Sequence, residues 1–185
     1  HTPVRNIVYP SSPREAKGLL IAAFEDPNPV LFFEHKGLYR SISEEVEEDY
    51  FTLEIGKANV VKQGEDVSII TYGLGVHWAK DLQESNPEIS IEIIDLRTLS
   101  PLDTETIFTS VRKTNKVIVL HEANTTGGVG AEVATLINEN CFESLDAPVK
   151  RLGSLDTPVP FAAELEQNFF PILELQETLL ETMKY

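Results

Sequence analysis

Val67-Ser68-Ile69-Ile70-Thr71-Tyr72, the turn Gly73-Leu74-Gly75, a helical stretch from Val76 to Ser85 and then Ile91-Glu92-Ile93-Ile94-Asp95 make the run that decides the fold. Two short β-branched runs, nearly continuous in apolar character and separated by a helix-length segment, read as strands buried on both faces and joined by a crossover helix. The alternation continues downstream. Val117-Ile118-Val119-Leu120 and Val149-Lys150-Arg151-Leu152 add strands, helical stretches run from Thr104 to Arg112 and from Ala131 to Asn140, and a last helix runs from Ile172 to Met183. The reading predicts an α/β fold, a three-layer α/β/α sandwich around a mostly parallel sheet. Nothing repeats at a fixed period.

Upstream, Val4 to Tyr9 is β-prone and Ser12-Pro13-Arg14-Glu15 has the form of a capping box with proline at the first helical position. Ala16, Leu19, Leu20, Ala23 and Phe24 recur at helical spacing, Asp26-Pro27-Asn28-Pro29 forces a turn, and Val30-Leu31-Phe32-Phe33 makes a buried strand. This is one βαβ unit, which needs further strands and helices from elsewhere to close a core. Ser43 to Asp49 is a charge run that reads either as an exposed linker or as a solvated helix end.

Composition narrows the function classes. A net charge of −15 over 185 residues opposes binding to phosphate backbones, so nucleic acid is not expected and a basic protein partner is. One cysteine, Cys141, excludes an internal disulfide framework and points to a reducing, cytoplasmic compartment. No continuous apolar stretch of membrane-spanning length and no signal or transit pattern occurs, so a soluble chain without membrane contact is expected. The sequence begins at His1 rather than Met and is almost at once in a strand-like run, which reads as a piece of a longer chain.

Several short constellations could carry chemistry. Gly127-Gly128-Val129-Gly130 follows a strand and opens a helix, as a dinucleotide site would, but Val133 stands where a third glycine belongs. Close helix packing is the other use of these glycines. Among His1, His35, His77 and His121, only His121-Glu122 ends a strand, where open α/β sheets place ligands. The pair reads as a general base or as a satisfied interface histidine, and no nucleophile or orienting group accompanies it. Asp26 to Pro29 lies at a helix C-terminus, where free carbonyls suit a hard cation or simply a sharp reversal.

From end to end the chain resembles the β subunit of the thiamin-diphosphate-dependent 2-oxo acid dehydrogenases, beginning within that subunit's pyrimidine-binding domain. Tyr9-Pro10-Ser11-Ser12-Pro13 with Ala16 to Leu20, Phe33-Glu34-His35-Lys36 with Leu38-Tyr39-Arg40, and Asp95-Leu96-Arg97-Thr98 with Pro101 and Asp103 carry the resemblance. His121-Glu122-Ala123 with Gly127-Gly128, and Asp156-Thr157-Pro158, complete it. Cys141-Phe142, Leu145-Asp146-Ala147-Pro148 and the Met183-Lys184-Tyr185 ending look most like the branched-chain (2-oxoisovalerate) members, with pyruvate and acetoin dehydrogenases as the alternatives.

The resemblance implies that residues 1–42 are the end of a pyrimidine-binding domain, 43–64 an acidic connecting segment and 65–185 a transketolase-type C-terminal domain. It implies a parent enzyme using thiamin diphosphate and magnesium, with an α subunit or an N-terminal half as partner. The β-side catalytic histidine and cofactor-contacting glutamate precede the start of this chain in such relatives. No catalytic or cofactor-binding residue is therefore named, and the isolated chain is expected to be inactive. By position, Ala23 (through its carbonyl), Asp26 and Asn28 match a structural potassium site. Asp146 and Tyr185 match positions that meet the basic subunit-binding domain of the dihydrolipoyl acyltransferase. Apolar residues left uncovered imply pairing with a second copy. The rival reading is a stand-alone nucleotide-binding module built on Gly127 to Gly130.

Overall fold

The structure, a computed structural model, describes residues 5–185. Strand β1 (Asn6–Val8), helix α1 (Pro13–Glu25) and strand β2 (Val30–Phe32) form the expected βαβ unit, β1 and β2 pairing in parallel. A short helix α2 (Leu38–Ser41) follows. Val4, the first residue of the predicted strand, lies outside the described residues.

Helix α1 starts where the sequence places it: Ser12 Oγ accepts from Glu15 N–H at 3.3 Å and Pro13 opens the first turn. Only half of the capping box forms. Glu15 turns its carboxylate to the Ser11 backbone N–H, 3.1 Å, and to Arg97 Nε, 2.6 Å, because for a buried carboxylate a cation outcompetes a neutral cap.

From residue 59 the chain runs β3 (Asn59–Lys62), β4 (Val67–Thr71), α3 (Leu74–Ser85), β5 (Ile91–Asp95), β6 (Thr98–Ser100), α4 (Thr104–Thr114), β7 (Val117–Asn124), α5 (Gly130–Cys141), β8 (Lys150–Ser154), α6 (Ala163–Phe169) and α7 (Ile172–Thr182). Five strands make one sheet in the order β3-β5-β4-β7-β8, antiparallel at β3 and parallel elsewhere. Alternation along each strand sorts the core. Ile69, Ile91, Ile93, Ile118 and Leu120 pack under α3 and α7, with Val76, Trp78, Ala79, Leu82, Leu175 and Leu179. Ile70, Ile94, Val117 and Val119 face Ile107, Val111, Val133 and Ile137 of α4 and α5. This is the three-layer sandwich, with both faces of every central strand dry.

Strands β3 and β6 and helices α2 and α6 were not anticipated. The first two are short, and β3 is a half-buried edge, so neither shows the apolar run that marked the central strands. Strand β6 pairs antiparallel with β1 in a second sheet of order β2-β1-β6, so a strand from downstream completes the first unit. The chain leaves one sheet at Asp95 and enters the other at Thr98, bending at Arg97 with φ +55°.

The acidic run is extended and exposed, with no helix across residues 43–49. It is nonetheless strapped to α1: Arg14 N–H donates to Glu44, Arg14 Nε pairs with Glu47 at 2.9 Å, and Lys17 Nζ donates to backbone carbonyls of residues 47 to 49.

Ile69 is fully buried at the centre of the sheet whereas Phe142 is 72% exposed. Ile69→Ala is expected to cost about 2–5 kcal/mol, read as a lower urea midpoint at unchanged slope. Phe142→Ala is expected to stay within about 0.5 kcal/mol, and equal losses at the two positions would contradict this assignment of the core.

Candidate functional site

In an open parallel sheet the ligand crevice lies beyond the carboxyl ends of adjacent strands whose crossovers depart to opposite faces. Here those strands are β4 and β7, since α3 covers one face and α5 the other. Their ends present Tyr72, His121 and Glu122. The crevice is filled by the N-terminal unit. The Tyr9 ring lies 5.5 Å from Tyr72 and 6.1 Å from Phe33, centroid to centroid. At Gly73, φ +55°, a Cβ would stand 3.1 Å from the Tyr9 ring, so the turn needs glycine for both its backbone and its space.

His35, just past β2, closes the gap by meeting Glu122 at 3.2 Å. Burial, and then the Glu122 charge, pushes the Tyr9 hydroxyl up to about 12. Burial, Tyr9 and Glu122 likewise take Tyr72 to about 12. Both phenols stay protonated at neutral pH and serve as packing groups with a polar end.

His121 and Glu122 part company. Glu122 points outward to His35, while His121 is 1% exposed and donates Nδ1–H to the Ala123 carbonyl at 2.9 Å. Burial lowers its pKa and keeps the ring neutral, leaving Nε2 as an acceptor with no partner among the described residues. The ring sits in a cage of glycine. A Cβ at Gly128, Gly130 or Gly153 would come within 2.5 to 2.6 Å of it. The glycine-rich turn is thus used for helix-to-sheet packing, with a side chain where a pyrophosphate would rest. His77 joins the two sheets, donating from Nε2 to the Ser11 carbonyl at 2.8 Å. His1 lies outside the described residues.

Beside His35 a small apolar cleft of about 230 Å³ opens between α1 and α2, lined by Pro10, Pro13, Ala16, Leu38 and Ile42, with Glu34 at its rim. Nothing in it matches a diphosphate site. The sequence has no Gly-Asp-Gly followed by paired asparagines, and among the described residues no three His, Cys, Asp or Glu gather to hold a metal. The residues present therefore do not by themselves fit thiamin diphosphate with magnesium.

Of the three residues matched to a potassium site, Asp26 and Asn28 meet just past the end of α1, and Ala23 lies in its last turn. Asp26 accepts from Asn28 N–H at 2.8 Å and from Asn6 Nδ2 at 2.6 Å. Pro27 has no N–H to offer the Ala23 carbonyl four residues back, so that oxygen is free of the helical ladder.

Asp146 and Tyr185 lie on separate elements. The Asp146 backbone N–H is tied to the Asn115 carbonyl at 2.9 Å and its carboxylate stands 3.8 Å from Lys116 Nζ, largely in solvent. Tyr185 is 65% exposed at the rim of a shallow depression shared with Lys150 and Glu181. Large apolar side chains stand free on the surface, Phe24 at 84% and Phe161 fully exposed at 107%.

Sequence reasoning missed the buried group Ser11, Glu15, Asp95 and Arg97 that ties the two sheets together. The one available signal was a carboxylate-arginine motif far along the chain from an acidic helix start, and spacing alone does not bring such segments together.

Comparison with known proteins agrees with this geometry. A 2-oxoisovalerate dehydrogenase subunit beta 2 (mitochondrial) of Arabidopsis thaliana is 48% identical over 166 residues, covering 89% of this chain and 46% of the relative. The pyruvate dehydrogenase E1 component subunit beta of Bacillus subtilis is 46% identical over 183 residues, covering 95% of this chain and 55% of its own length. The chain thus spans about half the length of the curated relatives it matches. Among solved structures, a split-gene transketolase described as an inactive beta4 tetramer superposes with a TM-score of 0.77 at 23% identity, covering 97% of this chain and 57% of that one. Residues 56–174 match the family described as transketolase, C-terminal domain, and with both faces of its parallel sheet packed as that architecture requires, the chain belongs to this family.

Proposed function

We propose that this chain is the rear part of the β subunit of a 2-oxo acid dehydrogenase, the thiamin-diphosphate-dependent component that decarboxylates a 2-oxo acid and passes the acyl group to a lipoyl arm. The observation that carries the reading is identity near one half to β subunits of such enzymes along nearly the whole chain. Residues 1–42 act as the end of a pyrimidine-binding domain and 65–185 as the C-terminal domain, joined by the acidic strap. The cofactor and its magnesium belong to the assembled enzyme. In that assembly this part contributes subunit contacts and docking rather than reacting groups, consistent with a strand-end crevice filled by Tyr9 and His35.

The partners in this reading are the α subunit or N-terminal half and a second copy of the chain, covering exposed apolar residues such as Phe24 and Phe161. Ala23, Asp26 and Asn28 contribute part of a structural potassium site. Asp146 and Tyr185 meet the basic subunit-binding domain of the acyltransferase, where the chain's net charge of −15 favours encounter. No helix among the described residues is long and apolar enough to cross a membrane. Separately, the single cysteine suits a reducing compartment, and the cytoplasm is our placement of the parent enzyme. A branched-chain substrate is favoured by the Leu145-Asp146-Ala147-Pro148 and Met183-Lys184-Tyr185 segments.

The 185-residue chain alone is expected to give no oxidative decarboxylation of any 2-oxo acid and no saturable heat with thiamin diphosphate. Turnover by the isolated chain would overturn the reading. The β subunit assembled with its α partner is expected to favour 3-methyl-2-oxobutanoate over pyruvate by about tenfold or more in kcat/KM, the usual scale for added methylene groups in an apolar pocket. The reverse preference moves the assignment to the pyruvate enzymes.

Asp146→Lys is expected to weaken binding to the subunit-binding domain by about fivefold to tenfold in titration calorimetry, with a flatter salt dependence, as for an exposed charge at a rim. Unchanged affinity and salt dependence would remove Asp146 from the docking face.

A further inference from the structure

Beneath the bend at Arg97 lies a group of two buried acids and one base, the Arg97 side chain being 12% exposed. Ser11 and Glu15 are each 4% exposed and Asp95 is 0% exposed. Glu15 receives donors on both oxygens. Arg97 Nε at 2.6 Å and Asn59 Nδ2 at 3.4 Å reach Oε1, and Ser11 N–H at 3.1 Å and Ser11 Oγ at 2.9 Å reach Oε2. Such a site suits the ionised carboxylate, whose charge Arg97 balances.

Asp95 is held differently. Its Oδ1 accepts from Arg97 N–H at 3.0 Å, and its Oδ2 lies 2.5 Å from Ser11 Oγ, a short O–H···O contact. The Ser11 hydroxyl has one hydrogen for two carboxylate contacts, and with Arg97 holding Glu15 ionised the consistent arrangement gives that hydrogen to Glu15. The second contact needs a hydrogen of its own, and Asp95 is the group placed to carry it.

From this geometry we infer that Asp95 is kept as a neutral carboxylic acid donating to Ser11, and that the chain Asp95 to Ser11 to Glu15, clamped by Arg97, is a proton-dependent latch between the two sheets. One proton makes the group neutral, with Glu15 negative and Arg97 positive. Its loss would put two buried carboxylates against one guanidinium with little water to screen them. Around the group, α1 supplies Glu15, the β5-to-β6 bend supplies Arg97, β3 supplies the uncharged Asn59, and α3 supplies His77, which donates to the Ser11 carbonyl.

Burial, and then the Glu15 charge, raises Asp95 well above the usual carboxylate range. For Glu15, burial is outweighed by the Arg97 charge and the hydrogen bonds it accepts, and its value falls. The signs follow. Stability from Asp95, whose folded value is raised, is full below its unfolded value and is lost as pH rises through the folded one. Stability from Glu15, whose folded value is lowered, is present above its unfolded value and is lost as pH falls through the folded one. The latch is tightest between these limits and releases on the alkaline side. None of this depends on the reaction of the parent enzyme.

Infrared difference spectra of the full 185-residue chain at neutral pH are expected to show the C=O stretch of an unionised, exchange-protected carboxylic acid, absent in Asp95→Asn. Asparagine reproduces the acid's acceptor at Oδ1 and donor at Oδ2 without a titrating proton. In urea, the unfolding constant of the unmodified chain is expected to rise relative to that of Asp95→Asn by about tenfold per pH unit between the unfolded and folded values of Asp95, and to level off above the folded one. A band that survives in Asp95→Asn, no such band in the unmodified chain, or identical pH profiles would each overturn the latch. Should Asp95→Asn fail to fold, carboxyl-13C NMR of the unmodified chain decides: one aspartate carboxyl unionised at neutral pH supports the latch, and every aspartate ionised overturns it.

Discussion

The two sheets of this protein are joined by a bend only two residues long, and the rest of the arrangement depends on how that bend is held. Asp95 ends a strand of the large sheet, Thr98 begins a strand of the small one, and Arg97 between them has φ +55°, a conformation costly for a residue with a Cβ. It persists because its surroundings over-determine it. Its N–H is taken by Asp95, its carbonyl accepts from Tyr9 N–H at 2.8 Å, and its guanidinium is fastened to Glu15 of α1. The first βαβ unit is therefore anchored by hydrogen bonds to backbone and side chain of a single residue, and β6 completes its sheet from downstream.

That anchoring decides what the carboxyl ends of the central strands can do. In an isolated parallel sheet the crevice outside β4 and β7 would be free for a ligand. Here Tyr9, Phe33 and His35 occupy it, Glu122 is spent on His35, and His121 is turned inward among three glycines. The features that suggest chemistry in the sequence, a His-Glu pair at a strand end and a glycine-rich turn opening a helix, are consumed by packing. Exposed apolar residues such as Phe24 and Phe161 face outward, while the strand-end crevice is closed.

Much of the architecture was legible in the residues. Ile91 to Asp95 was read at its true limits, and α1, α3, α4, α5 and α7 were placed to within a few residues, because strongly apolar strands and amphipathic helices announce their period. The short elements were silent. Strand β6, of three residues, is a strand only because β1 lies beside it, and β3 is an edge whose apolar content is ordinary. The capping box was half right for an instructive reason. Ser12 caps α1 as its type dictates, but the glutamate three residues on found a better partner, Arg97, that no local pattern could announce.

The sequence by itself determined the class of fold and the family, since alternating buried strands and amphipathic helices are local patterns and the motifs are contiguous. It also determined which segments were turns, where proline and glycine leave little choice. Only the tertiary structure decided how the two sheets share a bend, that Glu15 and Asp95 meet through Ser11, and that the strand-end crevice is closed by aromatic rings from the other unit. Such contacts join residues more than 60 positions apart, Tyr9 with Tyr72 and Ser11 with Asp95 among them. Their strength comes from burial and charge balance, quantities that exist only once the chain has folded around them.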